Sequence, residues 1–152
     1  MWATDLLSFS FSTLQNTIEL QRIRMVRINP LDVSSEQLCQ LVVNGMLDKK
    51  ALDVVVMDMR NVKNAITDFF VLCSGNSDTQ LDAIADSVDE QVYKTTQQHP
   101  WHREGKEARE WILIDYVDVV AHVFKKDRRD YYKLEDLWGD AEITRPEETA
   151  VA

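Results

Sequence analysis

Glycine, proline and cysteine are scarce in this chain of 152 residues, which has 4 Gly, 3 Pro and 2 Cys. Collagen-like, low-complexity and disulfide-rich proteins are excluded, because each class needs far more of at least one of these residues. Cys39 and Cys73 form no Cys-x-x-Cys motif, so neither a disulfide framework nor a zinc ribbon is indicated. Such sparse cysteine usage fits a reducing cytoplasm.

Long apolar runs and an excess of basic residues are also missing. No run approaches the roughly 18–20 apolar residues of a membrane span. The N-terminus shows no export signal, because Asp5 and a Ser/Thr-rich stretch stand where the basic and apolar regions would lie. With 17 Lys+Arg against 26 Asp+Glu, the net charge is −9. That charge opposes general binding to nucleic acid and favours a basic protein partner.

The composition that remains, 45% hydrophobic and 28% charged, is typical of one compact domain. We predict that residues 34–139 form this domain. Residues 1–33 have a weak pattern and are interpreted as an N-terminal extension, either partly ordered or an over-extended start. Residues 140–152 are acidic and contain Pro146, which predicts a disordered tail.

Hydrophobic spacing predicts an α/β fold with a mixed β-sheet of about four to five strands covered by helices. The boxes Ser34-x-x-Gln37 and Ser77-x-x-Gln80 predict the starts of two helices. The expected later elements are strands over 53–58 and 68–73, a hairpin of 111–114 with 119–124, and one helix over 127–138 that ends at Gly139.

Three constellations could carry chemistry, and each has a simpler structural explanation. The turn Ser74–Ser77 could bind an anion, but a strand-to-helix turn needs such residues anyway. The strand-end carboxylates could bind metal if they converged, although capping of turns explains most of them: Asp53, Asp58, Asp68, Asp115 and Asp118. His122 within a strand is more typical of a hydrogen-bonded core histidine than of a general base.

Aromatic and charged residues crowd the C-terminal half of the chain. Tyr131 and Tyr132 are adjacent in a predicted helix, so their side chains point about 100° apart and cannot be buried equally. Exposed Tyr, Trp and Arg beside acidic residues favour a protein-binding patch over a catalytic cleft.

Seven segments occur in an order that resembles the ribosomal silencing factor family, the iojap-like proteins. They are Lys50 to Asp58, Thr67 to Ser77, Ala83 to Val88, Glu104-Gly105, Trp111 to Tyr116, Asp118 to Phe124 and Arg129 to Trp138. The resemblance covers roughly residues 36–141. It implies a nucleotidyltransferase-like α/β topology without known catalysis, cofactor or metal.

The resemblance also implies a function and a set of site residues. The expected role is that of a cytoplasmic bacterial repressor of translation under nutrient limitation. It would bind universal protein number fourteen of the large ribosomal subunit, block joining of the small subunit, and form a homodimer when free. The partner-binding residues carried over from the family are Trp111, Asp115, Tyr116, Asp118, His122, Arg129, Tyr132 and Trp138. Val117 stands where the family usually has Gly, and a β-branched residue resists positive φ, so a different turn is expected there.

Two other classes of function compete with this hypothesis. One is a Mg²⁺-dependent nucleotidyltransferase-like enzyme that uses Asp53, Asp58 and Asp68 beside the turn Ser74–Ser77. The other is a homodimeric scaffold that does not bind ribosomes.

Overall fold

The first helix begins where its capping box predicts. The computed structural model describes residues 33–146, so the predicted extension before Val33 and the tail after residue 146 lie outside the described residues. The Ser34 hydroxyl accepts from the Gln37 N–H at 3.2 Å, and the Gln37 side chain accepts from the Ser34 N–H at 3.0 Å. This reciprocal pair starts α1, Ser35–Asp48.

The second helix has only half of its predicted box. The Ser77 hydroxyl accepts from the Gln80 N–H at 3.1 Å and starts α2, Asp78–Thr96. The Gln80 side chain does not return to Ser77. It accepts from the Asn76 N–H at 2.7 Å and donates to the Lys50 carbonyl at 3.1 Å, which ties the start of α2 to the end of α1.

A six-stranded mixed sheet forms the centre of the fold, one strand more than the largest number expected. The strands are β1 Leu52–Asp58, β2 Phe69–Gly75, β3 His102–Glu104, β4 Trp111–Asp115, β5 Val119–Lys125 and β6 Glu142–Thr144. Their order is β3-β4-β5-β2-β1-β6. The two central strands, β2 and β5, are parallel, and every other pair is antiparallel. The predicted mixed α/β class is confirmed.

The two faces of the sheet have different coverings. Alternate residues of the strands, such as Val71, Ile112 and Ala121, join α1 and α2 in one buried core. The intervening residues, such as Leu72 and His122, point to the second face. No helix in the described residues is long and apolar enough to cross a membrane.

The contact between α1 and α2 depends on Gly45. A Cβ at this position would lie 2.7 Å from the Val88 Cα, and the Ser87 hydroxyl donates to the Gly45 carbonyl at 2.7 Å. Alanine would therefore push two backbones apart.

We expect Gly45→Ala to lower the free energy of unfolding by about 1–2 kcal/mol. Overpacking costs about 1–3 kcal/mol, and the better helix propensity of alanine returns up to about 1 kcal/mol. Urea unfolding measures the difference. Gly139→Ala is the matched control, because its Cβ would meet nothing closer than the Asp136 carbonyl at 3.6 Å. Equal stability of both variants would contradict the predicted close approach.

The predicted helix over 127–138 is wrong in its continuity. The structure has two short helices, α3 Lys126–Tyr132 and α4 Leu134–Leu137, separated by Lys133 in the left-handed region at φ 46°. The break allows Leu134 to be buried while Tyr131 stays exposed. In a single continuous helix, Tyr131 and Leu134 would have shared one face.

The beginning of the predicted tail also differs from expectation. β6 pairs with β1, with Ile143 opposite Met57. An acidic composition did not indicate order here, because the strand gains its backbone hydrogen bonds from a distant part of the chain.

Candidate partner-binding surface

Four of the eight predicted site residues meet on the second face of the sheet. Trp111 of β4 and His122 of β5 are fully or almost fully buried, and the Trp111 Nε1–H donates to His122 Nδ1 at 3.0 Å. The ring of Tyr132 lies 5.2 Å from that of Trp111, and the ring of Trp138 lies 6.0 Å from that of Phe70, which contacts His122 at 4.8 Å. We call Phe70, Trp111, His122, Phe124, Tyr132 and Trp138 the aromatic cluster.

The imidazole of His122 is neutral in this cluster. Burial lowers the pKa of His122 from 6.5 to about 3. Because Nδ1 accepts the indole hydrogen bond, the proton lies on Nε2, which has no hydrogen-bond partner among the described residues. This arrangement is that of the hydrogen-bonded core histidine that the sequence favoured over a general base.

The turn between β4 and β5 takes a shape that the sequence did not predict. Val117 adopts φ 77°, and the Asp118 N–H donates to the Tyr116 carbonyl at 3.0 Å. These are the features of the strained γ-turn with a positive central φ. The expectation that Val117 would avoid the positive φ of the usual glycine is therefore wrong.

The three predicted site residues around this turn have different environments. Asp115 is 2% exposed, and its carboxylate accepts from the Val117 N–H at 2.7 Å. Tyr116 is 3% exposed and belongs to the core between the sheet and the helices, where burial raises its pKa. Asp118 is half-buried, and its carbonyl accepts from the N–H of Phe69 at the start of β2.

Arg129, the eighth predicted site residue, is buried and bonds inside the protein. Its guanidinium donates to the Asp53 carbonyl, to the Ser74 hydroxyl at 3.1 Å, and to the Glu135 carboxylate at 2.8 and 3.0 Å. It thus joins α3 and α4 to the ends of β1 and β2. Contact of Arg129 with a partner stays a prediction.

The sequence did not assign Tyr131 and Leu137 to the site, although both are large, apolar and exposed. Tyr131 is 59% exposed and Leu137 is 58% exposed. The ring of Tyr131 lies 5.1 Å from that of Tyr132, so the exposed surface continues into the aromatic cluster. The adjacent tyrosines in the sequence indicated that Tyr131 could be exposed. No sequence signal indicated exposure of Leu137, because the direction of its side chain depends on the break at Lys133.

The three carboxylates of the alternative enzyme hypothesis do not all converge, because Asp68 lies beside the Asp58 end of β1, where the Met59 N–H donates to its carbonyl at 2.8 Å, and Asp53 does not. Asp53 and Asp58 lie at opposite ends of β1, about 16 Å apart at the rise of an extended strand. Asp58 is engaged by the guanidinium of Arg60, whose hydrogen bonds lower the pKa of Asp58. Across residues 33–146, no group of three His, Cys, Asp or Glu side chains is placed to hold a metal ion.

Cys39 and Cys73 are both reduced thiols buried inside the core. Burial raises the pKa of Cys39 to about 12, so this thiol stays protonated at neutral pH. Cys73 is fully buried in β2. Each thiol behaves as a small apolar side chain.

The described fold recurs in solved structures. The crystal structure of a Chromobacterium violaceum protein matches with a TM-score of 0.66 at 30% identity, covering 70% of this chain and 88% of that one. The molecule is thus an α/β domain of a known architecture, with its aromatic cluster on the face opposite the two long helices.

Comparison of sequences then identifies the family. Residues 32–152 match the family described as "Ribosomal silencing factor during starvation". Proteins named "Ribosomal silencing factor RsfS" are 47% identical in Halalkalibacterium halodurans and 44% identical in Bacillus subtilis. The matches cover 72% and 63% of this chain and 92% and 80% of those proteins. The chain belongs to the ribosomal silencing factor family, as its motifs indicated.

Proposed function

We propose that this protein associates with the ribosome and silences translation by binding universal protein number fourteen of the large subunit, where it blocks joining of the small subunit. The observation that carries the proposal is the family match over residues 32–152. Silencing is what the names of the relatives state. The partner, the steric block and the action under nutrient limitation are our inference.

The α3–α4 segment offers a surface suited to such a partner. Tyr131 and Leu137 supply exposed apolar area, and Tyr131 lies against Tyr132 of the aromatic cluster. The segment and its end expose more acidic than basic residues: Asp127, Asp130, Asp136 and Asp140 against Lys126 and Lys133. Acidic groups around an apolar centre favour encounter with a basic protein. Occupancy needs only modest affinity, since a micromolar dissociation constant corresponds to about 8 kcal/mol.

Further properties follow from the same proposal. We infer that the protein acts in the cytoplasm, needs no cofactor, and works by occupying a surface. A homodimer of free protein would compete with ribosome binding if it used the same apolar residues. Sedimentation of the free protein at several concentrations would measure such self-association.

Co-sedimentation with purified ribosomal particles tests the proposal. We expect the protein to pellet with free large subunits but not with small subunits or joined ribosomes, and to bind less as salt is raised, because exposed charges are screened. Absence of binding to every particle would overturn the proposal. Binding to joined ribosomes would overturn the steric block alone.

The double variant Tyr131→Ser with Leu137→Ser is expected to weaken binding to large subunits at least tenfold. Loss of contact residues at the centre of an interface costs about 2 kcal/mol or more. Both side chains are more than half exposed, so the melting temperature should change little. Tyr93→Ser on α2 is the control, because Tyr93 is 40% exposed and stacks on His99, away from the α3–α4 segment. If the double variant and the control bound equally well, the surface would be misassigned.

A further inference from the structure

The buried carboxylate of Asp115 occupies an unusual position for a residue of a binding surface. Asp115 is 2% exposed, so its oxygen atoms cannot form the body of a contact with a macromolecule. Burial raises the pKa of Asp115, while the hydrogen bond from the Val117 N–H opposes that shift. A carboxylate kept in such a place needs a function within the fold.

That function is visible in the turn that follows. The Asp115 carboxylate accepts from the Val117 N–H at 2.7 Å, and Val117 holds φ 77°. A β-branched residue in this region is strained and stays there only when its surroundings enforce it. The carboxylate supplies one such restraint, and the Asp118 N–H to Tyr116 carbonyl bond closes the turn.

Asp118 is the residue that this turn positions. Its carbonyl accepts from the N–H groups of Asp68 at 2.9 Å and Phe69 at 3.1 Å, at the start of β2. Phe70, the next residue, contacts Trp138 in the aromatic cluster. The turn therefore places the Asp118 backbone against the start of β2, one residue before Phe70 of the aromatic cluster.

We propose that Asp115 is a positioning residue, whose carboxylate holds the strained turn at Val117 and thereby places Asp118 for contact with a basic group of the partner. This inference rests on the proposed function. The family resemblance implied that Asp115 contacts the partner directly, whereas here Asp115 acts on the contact indirectly. Glycine at position 117 takes positive φ without strain, so the turn of a chain with glycine there would depend less on the carboxylate.

The proposal is tested with four variants, Asp115→Asn, Asp115→Ala, Val117→Gly and the double variant Asp115→Ala with Val117→Gly. Affinity for isolated large subunits is measured beside Asp118→Ala. Asp115→Asn keeps an oxygen acceptor and should bind within about twofold of the original protein. Asp115→Ala should lose as much affinity as Asp118→Ala, about tenfold, which corresponds to 1.4 kcal/mol. The double variant should recover binding.

A purely structural role predicts a different outcome. If Asp115 served only global stability, adding Val117→Gly would not restore affinity, and failure of this rescue would overturn the proposal. Unchanged binding by Asp115→Ala would overturn it as well. Should Asp115→Ala fail to fold, Val117→Gly is compared with the double variant, and weaker binding by the double variant would be the contradicting result.

A separate measurement distinguishes failure of the inference from failure of the proposed function. The NMR amide signal of Asp118 should move in Asp115→Ala relative to the original protein, and the double variant should match Val117→Gly at this signal, whether or not any ribosomal particle binds. A protein that shows this pattern but does not bind large subunits would contradict the proposed function and leave the role of Asp115 in the turn intact. An unmoved signal would contradict that role directly.

Discussion

Replacing Arg129 with methionine is expected to lower the free energy of unfolding by about 3–5 kcal/mol, the largest effect that we predict for a single substitution. Removal of one partner from a buried ion pair has this magnitude, because the remaining charge loses its compensation. Here the Glu135 carboxylate would lose two hydrogen bonds, and the Asp53 carbonyl and the Ser74 hydroxyl would lose their guanidinium donor.

The effect should appear in denaturant unfolding as a lower midpoint with an unchanged slope. Arg128→Met is the matched control, because Arg128 has a 42% exposed side chain and reaches Glu110 only at 3.4 Å. Such exposed pairs contribute at most about 1 kcal/mol. Lysine at position 129 should rescue only part of the loss, since an ammonium cannot reproduce the planar set of donors. Similar losses in Arg129→Met and Arg128→Met would show that Arg129 does not join the two short helices to the sheet.

Acid is expected to destabilise the original protein by about 3 kcal/mol more than the variant His122→Asn between neutral pH and about pH 4. The pKa of His122 is about 3 in the folded protein, against 6.5 for a solvent-exposed histidine side chain. As the pH falls below 6.5, His122 becomes protonated in the unfolded chain but stays neutral in the folded protein. The free energy of unfolding therefore decreases until the pH reaches the pKa of His122 in the folded protein.

Asparagine is the suitable replacement because its amide oxygen can accept from the Trp111 Nε1–H and does not titrate. Unfolding free energies of both proteins are measured over the same pH series. The acidic groups are common to the two proteins, so their titration cancels in the difference. Parallel pH profiles would show that His122 is not the buried neutral group described above.

Local patterns predicted the elements that depend on neighbouring residues. The side chain of Ser34 predicted the start of α1, and the runs at 111–114 and 119–124 predicted the hairpin of β4 and β5. The α/β class followed from these elements. The aromatic cluster brings together four of the predicted partner-binding residues, Trp111, His122, Tyr132 and Trp138, and their contact with a partner stays a prediction.

The properties that depend on distant residues were not predictable in this way. Asp115 and Arg129 read as exposed charges in a partner-binding surface, yet both are buried, because segments that are distant along the chain lie against them: β3 beside Asp115, and the start of β1 beside Arg129. The break of the last helix at Lys133 has the same origin, since burial of Leu134 and the bond between Arg129 and Glu135 both require the bend.

The sequence by itself determined the periodicity of the strands and helices, the capped helix starts, the family and the acidic charge. Each of these properties depends on the types of residue present or on residues that are close along the chain. The tertiary structure decided which charges are buried, how the turn at Val117 is held, and where β6 pairs. Its deciding contacts join residues as far apart as Arg129 and Asp53, separated by 76 positions, and their energies depend on exclusion of water that only the complete fold provides.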